Sequence, residues 1–123
     1  MDNPSPYVCG LVIPVPEANR EAYRAWAAFS AAFFKEYGCL EVMEAWEDYA
    51  PTGVLTDFRR AVAAEAGERI VFAWQVWPDK AFFQAAEAKM HADPRMDAAG
   101  APPFDAKRLI LGCFSPIVSM GRD

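Results

Sequence analysis

The uncharged run at residues 70–77, IVFAWQVW, is the most informative hydrophobic segment of the chain. A β-strand sends alternate side chains to opposite faces. The two faces of this run would be Ile70, Phe72, Trp74 and Val76 on one side and Val71, Ala73, Gln75 and Trp77 on the other. Both faces are apolar, whereas a strand of a small antiparallel sheet usually leaves one face to water. The run therefore predicts a strand that is covered on both faces.

Other apolar runs predict the remaining strands. Residues 7–15 (YVCGLVIPV), 40–49 (LEVMEAWEDY) and 107–118 (KRLILGCFSPIV) each cluster apolar residues between turn-forming ones, which is typical of strands. Residues 57–62 (DFRRAV) are predicted to resume extended structure after a turn at residues 51–53. We expect this segment to pair with the strand at 70–77 as a hairpin.

Two segments show helical periodicity. In residues 17–37, apolar residues recur at steps of three and four, and Gly38 suits the helix end. The predicted apolar stripe of this first helix is Ala22, Trp26, Phe29, Phe33 and Tyr37. Residues 80–92 predict a second helix, with Asp79 as its N-cap. Its predicted stripe is Phe82, Phe83, Ala86 and Met90.

The predicted order is β-α-β-β-α-β, the ferredoxin-like arrangement, in one α+β domain that spans residues 1–123. Two helices cover only one face of its four-stranded antiparallel sheet. The second apolar face therefore needs another cover, and a second copy of the same sheet is the simplest one. We expect a homodimeric α+β barrel with an enclosed space between the two sheets.

Composition narrows the classes of partner and the compartment. The net charge of −5 and the sequence pI near 4.8 argue against nucleic acid and against anionic membrane surfaces. The first ten residues lack the basic and apolar segments of a signal peptide. The three cysteines are widely spaced and odd in number, which is typical of inert thiols in a reducing compartment. We therefore expect a cytoplasmic protein.

Several segments resemble a known family. They are YVCGLVIPVPEANREAYR, EAWEDYAPTGVLTDFRRAV, ERIVFAWQVWPDK, AKMHADPRM and PPFDAKRLILGCF followed by PIV, and they span residues 7–118. The chain resembles the YbaA-like family of uncharacterised bacterial proteins, within the dimeric α+β barrel superfamily. The resemblance implies the fold and the dimer, and it implies no reaction. Cys9 stands where relatives usually carry aspartate, and Ala106 and Cys113 stand where they usually carry glycine.

Standard catalytic and nucleotide-binding motifs are absent from the sequence. His91 is the only histidine, so one chain cannot assemble a Ser-His pair or a site with several histidines. By helical spacing it lies on the polar side of the second helix, which is typical of a solvated histidine. Some haem-handling dimeric α+β barrels place a ligand histidine on this helix, so haem ligation stays open as the less favoured alternative. We expect no required cofactor and no metal.

Candidate acid-base residues lie on the strand at 40–49. Glu44, Trp46 and Asp48 share one strand parity, and a carboxylate within an apolar row would have a raised pKa suited to proton transfer. The alternative is an edge strand with solvated carboxylates. We predict Glu44 and Asp48 as candidate catalytic residues and Trp46 as a wall for a substrate.

Arginines and aromatic residues supply the remaining candidates for substrate binding. Arg59, Arg60 or Arg108 could hold an anionic oxygen, and Trp74 could form a second wall. The alternatives are paired surface charges for the arginines and a core or interface position for Trp74. Two functions follow as hypotheses. One is a small-molecule enzyme or binder that acts on a planar or aromatic molecule in the barrel lumen, the space between the two sheets, in the style of cofactor-independent monooxygenases, isomerases or cyclases. The other is a binding or assembly module whose barrel interior is filled.

Overall fold

A computed structural model describes residues 5–98 and 100–121 of the chain. Residues 1–4, which belong to the segment used to predict that no signal peptide is present, lie outside this range. The elements are β1 (Tyr7–Pro16), α1 (Arg20–Glu36), β2 (Glu41–Trp46), α2 (Phe58–Ala61), β3 (Glu68–Trp77), α3 (Lys80–Ala92), α4 (Arg95–Ala98) and β4 (Ile110–Phe114). A short 3₁₀ turn, Glu17–Asn19, leads into α1.

The four strands form one antiparallel sheet in the order β2-β3-β1-β4. This confirms the predicted α+β class with a four-stranded antiparallel sheet. Helices α1 and α3 follow β1 and β3, and each packs against the strands around it. No helix in the described part of the chain is long and apolar enough to cross a membrane.

The hydrophobic core lies between the sheet and the helices, in two clusters. One cluster contains Cys9, Phe33, Cys39, Trp77, Phe83, Ala86 and Met90. The other contains Ile13, Val15, Tyr23, Ala27, Val71 and Ala73. The strand residues in both clusters have one parity, so a single face of the sheet meets the helices.

The described residues leave the opposite face of the sheet uncovered. The register aligns Gly10 with Trp74 and Gly112, and Val12 with Phe72 and Ile110. We call this surface the apolar face and define it by Val8, Val12, Phe72, Trp74, Ile110 and Phe114. Phe114 is 60% exposed and Ile110 is 45% exposed. The side chains are therefore apolar on both faces, as expected, but the described residues cover only one of them.

The predicted extended segment at residues 57–62 is wrong. Phe58–Ala61 forms the short helix α2, because the Asp57 carboxylate caps it by accepting the Arg60 backbone N–H at 2.8 Å. The hairpin partner of β3 is instead β2, which pairs from Glu41 opposite Val76 to Trp46 opposite Val71. A good N-cap and long-range pairing thus outweighed the local strand-like pattern.

The apolar stripes of both long helices differ from the predicted ones. Helix α1 buries Tyr23, Ala27 and Phe33, whereas Phe29 is 44% exposed. In α3, Phe82 also lies outside the buried set. In α1 the buried Tyr23 and Ala27 each lie one position after the predicted Ala22 and Trp26, so Phe29 falls at the edge of the buried stripe and remains partly exposed.

Helix ends and the last strand follow local chemistry. Gly38 has a φ of +100°, and Cys39 N–H donates to the Phe34 carbonyl at 3.0 Å, which closes α1 as predicted. Strand β4 is shorter than the predicted 107–118. Before it, Arg108 N–H donates to the Asp105 carbonyl in a turn, and after it Pro116 has no N–H to offer a neighbouring strand.

Candidate functional site

A pocket of about 310 Å³ lies between α1 and strand β2, on the helix side of the sheet. We call it the Glu44 pocket. Glu44 reaches it because it pairs with buried Ala73 across the β2–β3 ladder, which fixes the parity of its side chain. The lining residues are Arg20, Tyr23, Arg24, Ala27, Ala28, Ala31, Val42, Glu44, Trp46 and Val71.

A short hydrogen bond links the helix to the strand inside this pocket. The buried Tyr23 hydroxyl donates to Glu44 Oε1 at 2.5 Å. The second oxygen, Glu44 Oε2, makes no hydrogen bond to the described residues. Every fully buried polar side-chain atom of those residues has a hydrogen-bond partner, so Oε2 is not fully buried. Oε2 is therefore open to the pocket, where it can reach a bound molecule.

The environment shifts the proton affinity of both groups. Burial raises the pKa of Glu44 above 4.5, and the hydrogen bond from Tyr23 offsets part of that rise. Burial, followed by the nearby Glu44, raises the pKa of the Tyr23 hydroxyl, so it remains a hydrogen-bond donor. A carboxylate with a raised pKa beside an open cavity is suited to take and return protons.

Two arginines flank the entrance from the first turns of α1. The Arg20 guanidinium lies over the Trp46 ring, 5.4 Å from its centroid, a cation–π contact that holds the positive charge beside the pocket. Arg24, one helical turn further along, also lines the pocket. The pocket therefore combines an acid-base group with positive charge at its edge.

The structure brings together only some of the predicted site residues. Glu44 and Trp46 share the Glu44 pocket on the helix side of the sheet. Their predicted position in a lumen between two sheets is wrong, because their strand parity turns both side chains toward α1. Trp74 lies on the opposite, apolar face, where its indole N–H donates to Glu41 Oε2 at 2.7 Å. Asp48 is exposed in the segment that follows β2. Its predicted catalytic role stays a prediction.

The three predicted substrate arginines hold other acceptors. Arg59 donates to Glu47 Oε1 at 3.0 Å and to the Glu68 carbonyl at 2.9 Å. Arg60 donates to the Asp57 carboxylate and the Gly53 carbonyl. Substrate binding by these two residues stays a prediction, and it would require exchanging these acceptors. Both residues lie in the helix α2 and not in the extended segment that we predicted at 57–62.

Arg108 belongs to a buried ion pair. Its guanidinium donates to Glu68 Oε2 at 2.6 Å and to Oε1 at 2.8 Å, and it also bonds Asp105 and the Ala63 carbonyl. Glu68 is only 7% exposed, and its pKa is lowered chiefly by the hydrogen bonds from Arg108. These contacts tie β3 to the segment that precedes β4. A substrate role for Arg108 stays a prediction on the same terms.

The apolar face forms a second concavity, of about 710 Å³. Its floor is opened by Gly10 and Gly112, which lie opposite each other in the ladder, and the Phe114 ring folds back over Gly112. Apolar side chains line this face and could contact an apolar molecule. Glu41, a carboxylate at its edge, accepts the Trp74 indole N–H. The apolar face is suited to contact rather than to proton transfer.

Cysteines and histidine add no metal centre within residues 5–98 and 100–121. No group of three His, Cys, Asp or Glu side chains there is arranged to hold a metal ion. Cys9 and Cys113 approach to 3.4 Å between sulfurs, and burial raises the pKa of Cys9 to about 12. His91 is exposed on the last turn of α3.

Sequence reasoning missed Tyr23 and Arg20. Tyr23 lay outside the predicted apolar stripe, so the sequence did not indicate that its hydroxyl would be buried and need a partner. Arg20 carried no signal either, since only the packing of α1 places it over Trp46.

A protein-family model and several known bacterial proteins match most of this chain. A family model described as "Protein of unknown function (DUF1428)" matches residues 6–106. The chain belongs to the DUF1428 family. It is 47% identical over 113 residues to the uncharacterized protein YbaA of Escherichia coli (strain K12), covering 91% of this chain and 97% of that protein. The YbaA proteins of Escherichia coli O157:H7 and Shigella flexneri match with the same identity and coverage. The predicted family resemblance is confirmed, and DUF1428 membership carries no assigned reaction.

Proposed function

We propose that this protein is a homodimeric α+β barrel that acts on a small molecule in the Glu44 pocket, without a required cofactor. In this proposal each chain is a ferredoxin-like domain, and two copies pair through the apolar face. The reaction is a proton transfer at carbon, in the style of an isomerase. A cytoplasmic location is part of the proposal, supported by the free cysteines of the described chain.

The exposed aromatic and aliphatic side chains support the dimer. Phe72, Ile110 and Phe114 form a contiguous apolar surface on a twisted sheet. Soluble monomers rarely expose apolar patches larger than a few hundred Å². A second copy would cover this surface by face-to-face sheet packing, with the sheets about 10 Å apart.

The hydrogen bond between Tyr23 and Glu44 is the observation that carries the proposed reaction. The Glu44 carboxylate would accept a proton from a carbon next to a substrate carbonyl; the electron pair of the C–H bond would form a carbon–carbon double bond, and the carbonyl π pair would move onto the oxygen to give an enolate. The resulting carboxylic acid would then return the proton to the same carbon or, where a double bond is conjugated with the enolate, to the far end of that double bond, and the carbonyl would re-form. Atoms and electrons balance without a redox partner. Tyr23 would hold the carboxylate in place throughout.

Proton exchange with D₂O tests this reaction without knowledge of the natural substrate. Wild-type protein would be incubated with neutral and acidic carbonyl compounds, for example cyclohexanone and 2-oxobutanoate, and loss of the C–H signal would be followed by ¹H NMR. We expect catalysed exchange with at least one compound, reduced roughly 100-fold or more in Glu44→Gln. Glu87→Gln, which removes an exposed carboxylate on α3, is the matched control. Equal exchange by wild type and Glu44→Gln, or exchange no faster than in buffer, would refute the proposal.

The second candidate function is a non-catalytic assembly module, favoured by the large apolar face. Native mass spectrometry distinguishes the outcomes. Twice 13.6 kDa with a bound small molecule would support the enzyme, and twice that mass without ligand or exchange activity would support the module. Phe114→Asp should give a monomer, whereas Val54→Asp, at a fully exposed loop position, should remain a dimer. A wild-type monomer at micromolar concentration would exclude pairing through this face.

A further inference from the structure

We propose that the Glu44 pocket selects small planar carboxylates, and that Arg20 binds their carboxylate group at the pocket entrance. This inference rests on the proposed function of Glu44 and specifies the substrate class. Arg20 is not among the arginines that the sequence predicts to bind a substrate.

Arg20 differs from every other arginine within residues 5–98 and 100–121. Each of the others has a carboxylate oxygen within 4.0 Å, from Arg24 with Glu21 at 3.7 Å to Arg108 with Glu68 at 2.6 Å. Arg20 has no such partner in this part of the chain, and its side chain makes no hydrogen bond to a protein acceptor there. Its donors are therefore available to a ligand.

The contact with Trp46 gives the Arg20 guanidinium a defined position at the pocket. Its central carbon lies 5.4 Å from the ring centroid, and because a ring face is not a hydrogen-bond acceptor of the usual kind, the contact leaves the N–H donors for an anion. The fork of arginine donors matches a carboxylate in two parallel hydrogen bonds. Because the side chain is already held, less conformational entropy is lost when the ligand binds.

The separation of the negative Glu44 from the positive arginines sets the orientation of a bound ligand in the pocket. Glu44 is anchored on β2 by Tyr23, while Arg20 and Arg24 project from α1 at the entrance. An anionic group that faced Glu44 would be repelled, whereas at the entrance it meets positive charge. The carboxylate would therefore stay outside and the reacting carbon would point inward to Glu44.

The walls between these charges suit a flat, apolar body. On the α1 side, Ala27, Ala28 and Ala31 line the pocket, and small side chains there leave a slot against the sheet. On the sheet side the slot is bounded by Val42 and Val71. The volume of about 310 Å³ accommodates a molecule of roughly the size of a substituted benzoate or an unsaturated short-chain acid.

Binding of benzoate and its neutral analogue benzamide tests the selection directly. Both would be titrated into the full-length protein, with the Trp46 indole N–H signal in ¹H–¹⁵N NMR spectra as the readout. We expect benzoate to bind at least ten-fold more tightly than benzamide. Arg20→Gln should weaken benzoate about ten-fold and leave benzamide unchanged. Lys89→Gln removes the same charge on exposed α3 and should leave both affinities unchanged.

The outcomes separate this inference from the proposed reaction. Equal affinity for benzoate and benzamide, no binding of either, or unchanged benzoate affinity in Arg20→Gln would overturn carboxylate selection. Glu44→Gln should retain benzoate binding, because its loss removes a repulsive charge rather than a ligand contact. Loss of benzoate selectivity with intact Glu44-dependent exchange would thus refute only the substrate class. Intact selectivity without Glu44-dependent exchange would refute only the proton transfer.

Discussion

Replacing Tyr23 with phenylalanine is the sharpest test of how the Glu44 pocket is built. The change removes the hydroxyl that donates to Glu44 Oε1 at 2.5 Å and keeps the ring. That ring packs against Trp26 and Phe104, each with a centroid separation of 5.8 Å. The hydrophobic core should therefore stay intact, so that the measured effect reports the hydrogen bond.

The expected loss of stability follows from the surroundings of Glu44. A hydrogen bond to a charged group contributes about 1.5–3 kcal/mol to the free energy of unfolding. Glu44 is open to the pocket through its second oxygen, so water can replace part of the lost bond. We therefore expect the lower end, about 1.5 kcal/mol at pH 7, in urea unfolding of Tyr23→Phe.

The same substitution should change the pKa of Glu44. Because the Tyr23 hydrogen bond lowers this pKa in the native protein, its removal should raise the pKa further. A ¹³C NMR titration of the Glu44 carboxyl measures this. The difference in stability from wild type should shrink as the pH falls and Glu44 becomes protonated in both proteins.

Tyr49→Phe is the matched control, because that tyrosine is 81% exposed. It should leave the unfolding free energy and the Glu44 pKa unchanged. If Tyr23→Phe and Tyr49→Phe agree within about 0.5 kcal/mol and the Glu44 pKa does not move, the hydrogen bond contributes nothing and the reasoning is refuted.

Three further substitutions have defined outcomes. Burial raises the native pKa of Glu44 above that of the unfolded chain, so the wild type loses stability as the pH rises through the native pKa. The Glu44→Gln variant cannot ionise there, and in urea unfolding it should gain stability relative to wild type as the pH rises from 4 to 8. A stability difference that stays constant over this range would contradict the prediction. Arg108→Ala leaves buried Glu68 without its main partner and should cost roughly 3 kcal/mol at pH 7 in the same assay; a loss comparable to that of an exposed ion pair would show the pair to be unimportant. Gly38→Ala places a Cβ on a residue with a φ of +100° and 2.5 Å from the Phe82 ring. The free energy of unfolding should fall by about 1–2 kcal/mol, and the thermal midpoint should fall with it. An unchanged midpoint would contradict this prediction and mean that the ring moves freely.

Local features of the sequence were sufficient for the two long helices and for the location of the four strands. The Asp79 N-cap, whose carboxylate accepts the Phe82 N–H at 2.7 Å, and the Gly38 stop act within one turn of the chain. The uncharged run at 70–77 likewise falls within β3. Each of these features depends on residues close in sequence, which is why the amino-acid pattern alone predicts them.

Pairing and orientation needed the tertiary structure. The partner of β3 is β2 and not residues 57–62, because long-range register outweighs a short strand-like pattern. Strand parity alone put Glu44 with Trp46, but only the packing of the sheet decided that both meet α1 while Trp74 lies on the other face.

The chemistry of the candidate site is therefore a product of long-range contacts. Tyr23 and Glu44 are 21 positions apart, and no local rule joins them. The sequence by itself determined that an acid would lie on this strand and that the sheet would carry apolar residues on both faces. The fold decided which acid of β2 faces α1, which hydroxyl holds it and which arginine of the described residues has no carboxylate partner, because those properties depend on how α1 packs against the sheet.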